Sequence, residues 1–206
     1  MLTLYVCGIY AVVMKIVALN GSPRPLGNTT NILNEVQDMF EREGIEMEIV
    51  HMYGYNFTNC NVCLRCEIRG DGRCMDEDDG LNELLDKLRQ ADGVLLASPT
   101  YAGACPSMMQ TFLERMSLVF EKGDLGLKGK VGGVIAVAGH DGADMVYNQL
   151  VRVLLRNGVY VVGSNPMPII RALNSPQYED DKKGMKGVAS LVEGMTRLLM
   201  RLNGYE

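Results

Sequence analysis

Five short apolar runs alternate with five stretches of helical periodicity, and that alternation leaves few folds open. The runs cover residues 16–20, 46–52, 94–97, 131–138 and 159–162. They are mostly aliphatic and β-branched, which suits parallel strands buried on both faces. Between them, Ile32, Leu33, Val36, Met39 and Phe40 recur at helix spacing and stop at Gly44, a C-cap signal. Leu81, Leu84, Leu85 and Leu88 make a second stripe, and Met108, Met109, Phe112, Leu113 and Met116 a third. Val146, Leu150, Val153 and Leu154 make a fourth, ended near Gly158; Val188, Leu191, Met195, Leu198 and Leu202 make the last. The predicted product is a doubly wound α/β domain: a five-stranded parallel sheet in the order 2-1-3-4-5, with ligands at the carboxyl ends of the strands. With 206 residues, 47% of them hydrophobic, the chain has material for one such domain, assigned to residues 14–206.

Residues 1–13 are apolar and uncharged. They are too few for a spanning helix, and no basic residue precedes them as in a signal peptide. The expectation is an upstream start, with the domain proper beginning near Met14. The alternative is an extra strand or a hydrophobic arm at an oligomer interface.

The net charge is −5, and Lys and Arg are scattered. Nucleic acid binding needs a basic stripe that releases counterions, so that class is excluded. No polybasic tail suggests a membrane surface. Six cysteines without a secretory signal point to a reducing, cytoplasmic setting, where clustered thiols hold metal or do redox chemistry.

The first strand runs into Gly21-Ser22-Pro23-Arg24-Pro25-Leu26-Gly27-Asn28-Thr29-Thr30, which opens the first helix. Free backbone N–H groups and the helix dipole make such a junction an anion site. Five residues separate the two glycines, and Asn28 stands where a P-loop needs Lys; the G-x-G-x-x-G pattern is absent too. Ser22, Asn28, Thr29 and Thr30 add neutral hydrogen-bonding groups, and Arg24 adds a charge. Such a loop suits a terminal monophosphate like that of FMN. The plainer alternative is an N-cap after a Pro-rich turn. Two further loops belong at the same edge. Pro99, Thr100, Tyr101, Ala102 and Gly103 follow the third strand, and Gly139 and His140 follow the fourth. Small residues there let the backbone approach a flat ring.

The longest irregular stretch, residues 56–80, carries Cys60, Cys63, Cys66 and Cys74 in the spacing C-x2-C-x2-C-x7-C. Four thiolates within fifteen residues can converge on one [4Fe–4S] cubane. Structural zinc favours two separated C-x2-C knuckles, and redox-active or unliganded thiols are the third option. Arg65, Arg69 and Arg73 are placed to offset negative charge. Cys7 and Cys105 stand apart from the run. With only His51 and His140 in the chain, histidine-based metal or acid–base chemistry is disfavoured.

These pieces together resemble the iron–sulfur flavoproteins of archaea and anaerobes, within the NADPH-dependent FMN reductase-like branch of flavodoxin-like proteins. The resemblance rests on Leu19-Asn20-Gly21-Ser22-Pro23-Arg24, the run from Cys60 to Cys74, Ala91-Asp92-Gly93 leading to Ser98-Pro99-Thr100-Tyr101, and Leu127-Lys128-Gly129-Lys130-Val131-Gly132. It implies FMN at the three loops and a [4Fe–4S] cluster on Cys60, Cys63, Cys66 and Cys74. It also implies a homo-oligomer, dimer or tetramer, that sets one subunit's cluster near another's flavin, and a ferredoxin-like electron donor. Two rivals remain open: an NAD(P)H-dependent FMN or quinone reductase without a cluster, and a non-catalytic module stiffened by zinc.

Overall fold

The computed structural model describes residues 13–75, 79–123 and 126–204. The proposed N-terminal extension, with Cys7, lies almost wholly outside them. In chain order the elements are β1 (Lys15–Asn20), α1 (Asn28–Arg42), β2 (Glu46–His51), α2 (Arg65–Arg69), α3 (Leu81–Gln90), β3 (Gly93–Pro99), α4 (Ser107–Lys122), β4 (Val131–Ala138), α5 (Ala143–Arg156), β5 (Tyr160–Val161), β6 (Ile169–Arg171) and α6 (Lys182–Leu202).

The sheet runs β2-β1-β3-β4-β5 and every pairing is parallel, as the alternation of runs and stripes predicts. The outer edge beyond β4 departs from that expectation. The fifth run yields only the two residues of β5, paired to Val131 and Gly132. The chain then leaves the sheet through Gly163, Pro166 and Pro168 and returns as β6, paired to Ala136, Val137 and Ala138. The sheet is therefore six-stranded among the described residues, with β5 and β6 sharing one edge. Proline has no N–H for a ladder, so the prolines sit where the edge is broken.

Side chains alternate across the sheet, so each central strand feeds two cores. Val17, Leu19, Val134 and Ala136 pack with α3, α4 and α5. Ile16, Ala18, Ile135 and Val137 pack with α1 and α6. The stripe on α1 is fully buried at Ile32, Leu33, Val36 and Phe40. Asp181 caps α6: its carboxylate accepts from Gly184 N–H at 2.9 Å and from Arg171 N–H at 2.8 Å, which ties β6 to the helix. At the far end the α6 stripe runs out, and Leu202 is exposed. Among the described residues no helix is long and apolar enough to cross a membrane.

Candidate functional site

The loop after β1 is organised by one buried side chain, Asn20. Its Oδ1 accepts from Ser22 N–H at 2.9 Å and its Nδ2 donates to Thr30 Oγ1 at 2.9 Å. The same Nδ2 lies 3.1 Å from His51 Nδ1 at the end of β2. Ser22 Oγ accepts from Arg24 N–H at 3.1 Å, and Thr30 Oγ1 donates to the Arg24 carbonyl at 3.3 Å. The loop is thus closed on itself before any ligand arrives. Gly27 precedes α1 without a side-chain cap, so the first-turn N–H groups have no intrahelical acceptor.

A cavity of about 90 Å³ opens above this turn. Of the residues picked out from the sequence, Ser22, Arg24, Asn28, Thr29, Pro99, Thr100, Tyr101 and Gly139 line it. Thr30 does not; its hydroxyl is spent on Asn20 and Arg24. Ala102 and Gly103 form the turn behind it, with φ of 50° and 76°, while Tyr101 and Ala104 exchange backbone hydrogen bonds. His140 is exposed and does not line it. The segment after β6 supplies a wall that the sequence reading missed: Ala172 and Leu173 line the cavity, and the Asn174 carbonyl accepts from Asn28 Nδ2 at 3.2 Å. Two buried polar atoms here, Asn28 Oδ1 and Thr100 Oγ1, have no hydrogen-bond partner in the protein. Buried polar groups are nearly always paired, so these two fit a bound polar ligand. With Nδ2 fixed on Asn174, Asn28 offers an acceptor; Thr100 offers a hydroxyl donor or acceptor.

The cysteine segment follows β2. Phe57 anchors its start, stacked on Tyr55 at 5.0 Å between ring centroids and tilted against Phe112 of α4 at 5.9 Å. Val62 and Leu64 adopt positive φ (53° and 57°), an uncommon conformation for apolar side chains, and α2 begins immediately afterwards. Cys60, Cys63, Cys66 and Cys74 are all free thiols, and all four line one cavity of about 270 Å³. Cys66 is buried, Cys63 exposed, and the other two intermediate. Burial pushes the Cys66 thiol up, and the nearby Cys74 and Cys63 add to that. No three His, Cys, Asp or Glu side chains among the described residues are grouped to hold a single ion. A cubane takes one thiolate at each of four irons, so its donor set surrounds a space instead of meeting at a point.

Three buried side chains from the helices hold the segment. Asn82, at the start of α3, bonds both backbone groups of Cys74. Thr111 Oγ1 of α4 donates to Asn59 Oδ1 at 3.2 Å. Arg115, one turn further along α4, donates from Nη2 to Cys74 Sγ at 3.1 Å and from Nη1 to the Thr58 carbonyl at 3.3 Å, and its Nη1 is ion-paired to Asp79. None of the three was picked out from the sequence. The only signal was Thr111 and Arg115 four residues apart on an otherwise apolar helix face. Of the arginines that were, Arg65 lines the cavity, Arg69 pairs with Asp71 and Arg73 with Asp86.

Residues 14–172 match the family model described as NADPH-dependent FMN reductase. An iron–sulfur flavoprotein of Methanocaldococcus jannaschii is 32% identical over 157 residues, covering 74% of this chain and 77% of that one. An iron–sulfur flavoprotein of Methanosarcina thermophila is 27% identical over 188 residues, covering 90% and 95%. Among solved structures, RosB with bound 8-demethyl-8-formylriboflavin-5'-phosphate superposes with a TM-score of 0.74 at 23% identity, covering 93% of this chain and 81% of that one. A flavodoxin from Archaea gives 0.58 at 15% identity, covering 90% and 99%. Those two likenesses confirm the flavodoxin-like fold; the family match and the 32% relative go further, and the chain belongs to the NADPH-dependent FMN reductase family, among its iron–sulfur flavoproteins.

Proposed function

We propose that this protein binds FMN at the β1, β3 and β4 loops and a [4Fe–4S] cluster at Cys60, Cys63, Cys66 and Cys74, and passes electrons from a ferredoxin-like donor to an acceptor. The observation that carries this reading is the shared cavity: Cys60 and Cys63 on the loop before α2, Cys66 on α2 and Cys74 after it all line one space, and a buried guanidinium touches one of them. Such a cluster exchanges electrons singly and a flavin gathers two, which is the chemistry the two groups supply.

The chain's own residues bind and orient. A cavity of about 90 Å³ suits a phosphoryl group and part of its chain; whole-ligand pockets are several times larger. The α1 N-terminus and Arg24 would hold the phosphate, and Asn28 and Thr100 would hold neighbouring hydroxyls. Tyr101 and Leu173, both half-exposed at the cavity's edge, would be the side chains to hold the flat ring. Val62, Leu64, Ile68 and Met75, all exposed, leave an apolar rim around the cysteine segment. Rims of this kind mark docking faces, in keeping with a homo-oligomer that brings a second subunit's flavin close. Electron transfer asks for no proton-transferring side chain.

Anaerobically purified protein tests the reading by its absorption spectrum and by iron and zinc analysis. The expected result is flavin bands over a broad dithionite-bleached shoulder, with about four irons per chain. Cys63→Ser should lose the iron and keep FMN. A flavin spectrum with no iron leaves the NAD(P)H-dependent reductase; a colourless zinc protein leaves the non-catalytic module.

A further inference from the structure

We propose that Arg115 is a positioning residue of the cysteine site, raising the reduction potential of the group held there, and that Asp79 moderates it. The inference rests on the cluster reading above and adds what tunes it. The Arg115 side chain is only 3% exposed, and a cation so deeply placed must be compensated. Asp79, itself 9% exposed, balances the charge. An ion pair alone would leave the second arm of the guanidinium free to bond any carbonyl. Instead Nη2 donates to Cys74 Sγ at 3.1 Å. The guanidinium has no acceptor and keeps its charge, so this bond favours electron-rich sulfur.

Hydrogen bonds to sulfur and local net charge are two of the determinants of an iron–sulfur potential. Taking up one electron adds one negative charge to the thiolate-ligated group, and the donor, dithionite in the test, is oxidised by the same electron. A buried cation against a ligating sulfur stabilises the more negative side of that equilibrium. Asp79 opposes it from the other side of the same guanidinium. The two residues must therefore act with opposite signs, which a purely structural role would not produce.

The test is an EPR-monitored dithionite titration of anaerobic holoprotein, with iron and FMN content measured on each sample. Arg115→Gln is expected to lower the reduction equilibrium about tenfold, equivalent to about 59 mV for one electron. Asp79→Asn, which keeps an oxygen for the Leu81 N–H now bonded to Asp79 Oδ1, is expected to raise it. Arg115→Lys should fall between wild type and Arg115→Gln. FMN content should not change. Potentials unchanged in iron-replete Arg115→Gln and Asp79→Asn, or shifts of the same sign, overturn the proposal. If Arg115→Gln loses its iron, Asp79→Asn decides alone: an upward shift supports the role and any other result overturns it. Wild-type protein without iron overturns the cluster reading itself, and the role assigned to Arg115 with it.

Discussion

The side-chain amide of Asn82 grips the Cys74 backbone from both sides: Cys74 N–H donates to Oδ1 at 2.9 Å, and Nδ2 donates to the Cys74 carbonyl at 2.9 Å. This is a two-point clamp from the first turn of a core helix onto the most distant cysteine of the run. It holds the stretch after α2, which among the described residues has no helix or strand of its own. Asn82→Ala should leave two backbone groups without partners, a cost of about 1–3 kcal/mol. The expected outcome is a lower Tm and faster iron loss to a chelator, with FMN affinity unchanged. Asn82→Asp keeps the acceptor, loses the donor and adds a negative charge beside a thiolate, so it should release iron faster than Asn82→Ala.

Asn20 has the matching part at the other site. Its amide joins the loop at Ser22 to the helix at Thr30, and neither partner is an exposed surface group. Asn20→Ala should loosen the turn before ligand arrives, so that ordering it becomes part of the cost of binding. We expect FMN to bind the apoprotein about 5- to 150-fold more weakly, as follows from about 1–3 kcal/mol. Fluorescence quenching on titrating FMN measures this. Iron content should hold, because the two sites share no lining residue.

Cys105 follows the β3 loop and is buried, which pushes its thiol up to about 11 from 9.0. Thiolate is the reactive form, so native Cys105 should resist iodoacetamide at pH 8, while exposed Cys63 in iron-free protein is alkylated. Peptide mass spectrometry reads both. The raised value also sets a pH dependence. The unfolded chain gives up this proton near pH 9 and the folded chain near 11, so between those values the folded state binds more protons. Stability from this group is therefore complete below about pH 9 and is lost as pH rises to about 11, by roughly 2–3 kcal/mol. Cys105→Ala should flatten that part of the curve of Tm against pH.

The central sheet was legible because its pattern is long. β4 spans the same eight residues in sequence and structure, since an unbroken apolar run bounded by glycine and charge has one good solution. The three loops that meet at the smaller cavity were legible for the same reason, as each must follow a legible strand. β6 was not: three residues behind Pro166 and Pro168 carry no period. α2 was not, being a five-residue turn between two left-handed residues. The cysteine spacing announced that four thiols would share one place in the fold, as they do in lining one cavity, but the side chains that hold the segment were silent. Arg115 inside an apolar stripe reads as a solvated face residue until the fold turns that face toward Cys74, and Asn82 reads as an ordinary first-turn residue.

Gly123, at the end of α4, shows how closely that support is fitted. A Cβ there would lie 2.5 Å from Gly72 Cα and 2.6 Å from Gly72 N. The obstructing atoms are backbone, so no rotamer change relieves the contact. Its φ is −114°, outside the left-handed region. Gly72 lies between α2 and Cys74, and its carbonyl accepts from Arg89, whose guanidinium sits 5.1 Å over the Phe120 ring. The loop therefore has anchored neighbours and cannot simply step aside. Overpacking of this kind costs about 1–3 kcal/mol. The strain should fall on the cysteine segment, because α4 is fixed by Phe112, Met116 and Phe120 in the core. Gly123→Ala is expected to lower iron occupancy while FMN content and the far-ultraviolet circular dichroism stay at wild-type values. Gly129→Ala is the control for overpacking, since nothing lies within 4 Å of the added carbon and only its φ of 80° is strained. Equal iron loss in both variants would assign the effect to general destabilisation instead of the fit between Gly123 and Gly72.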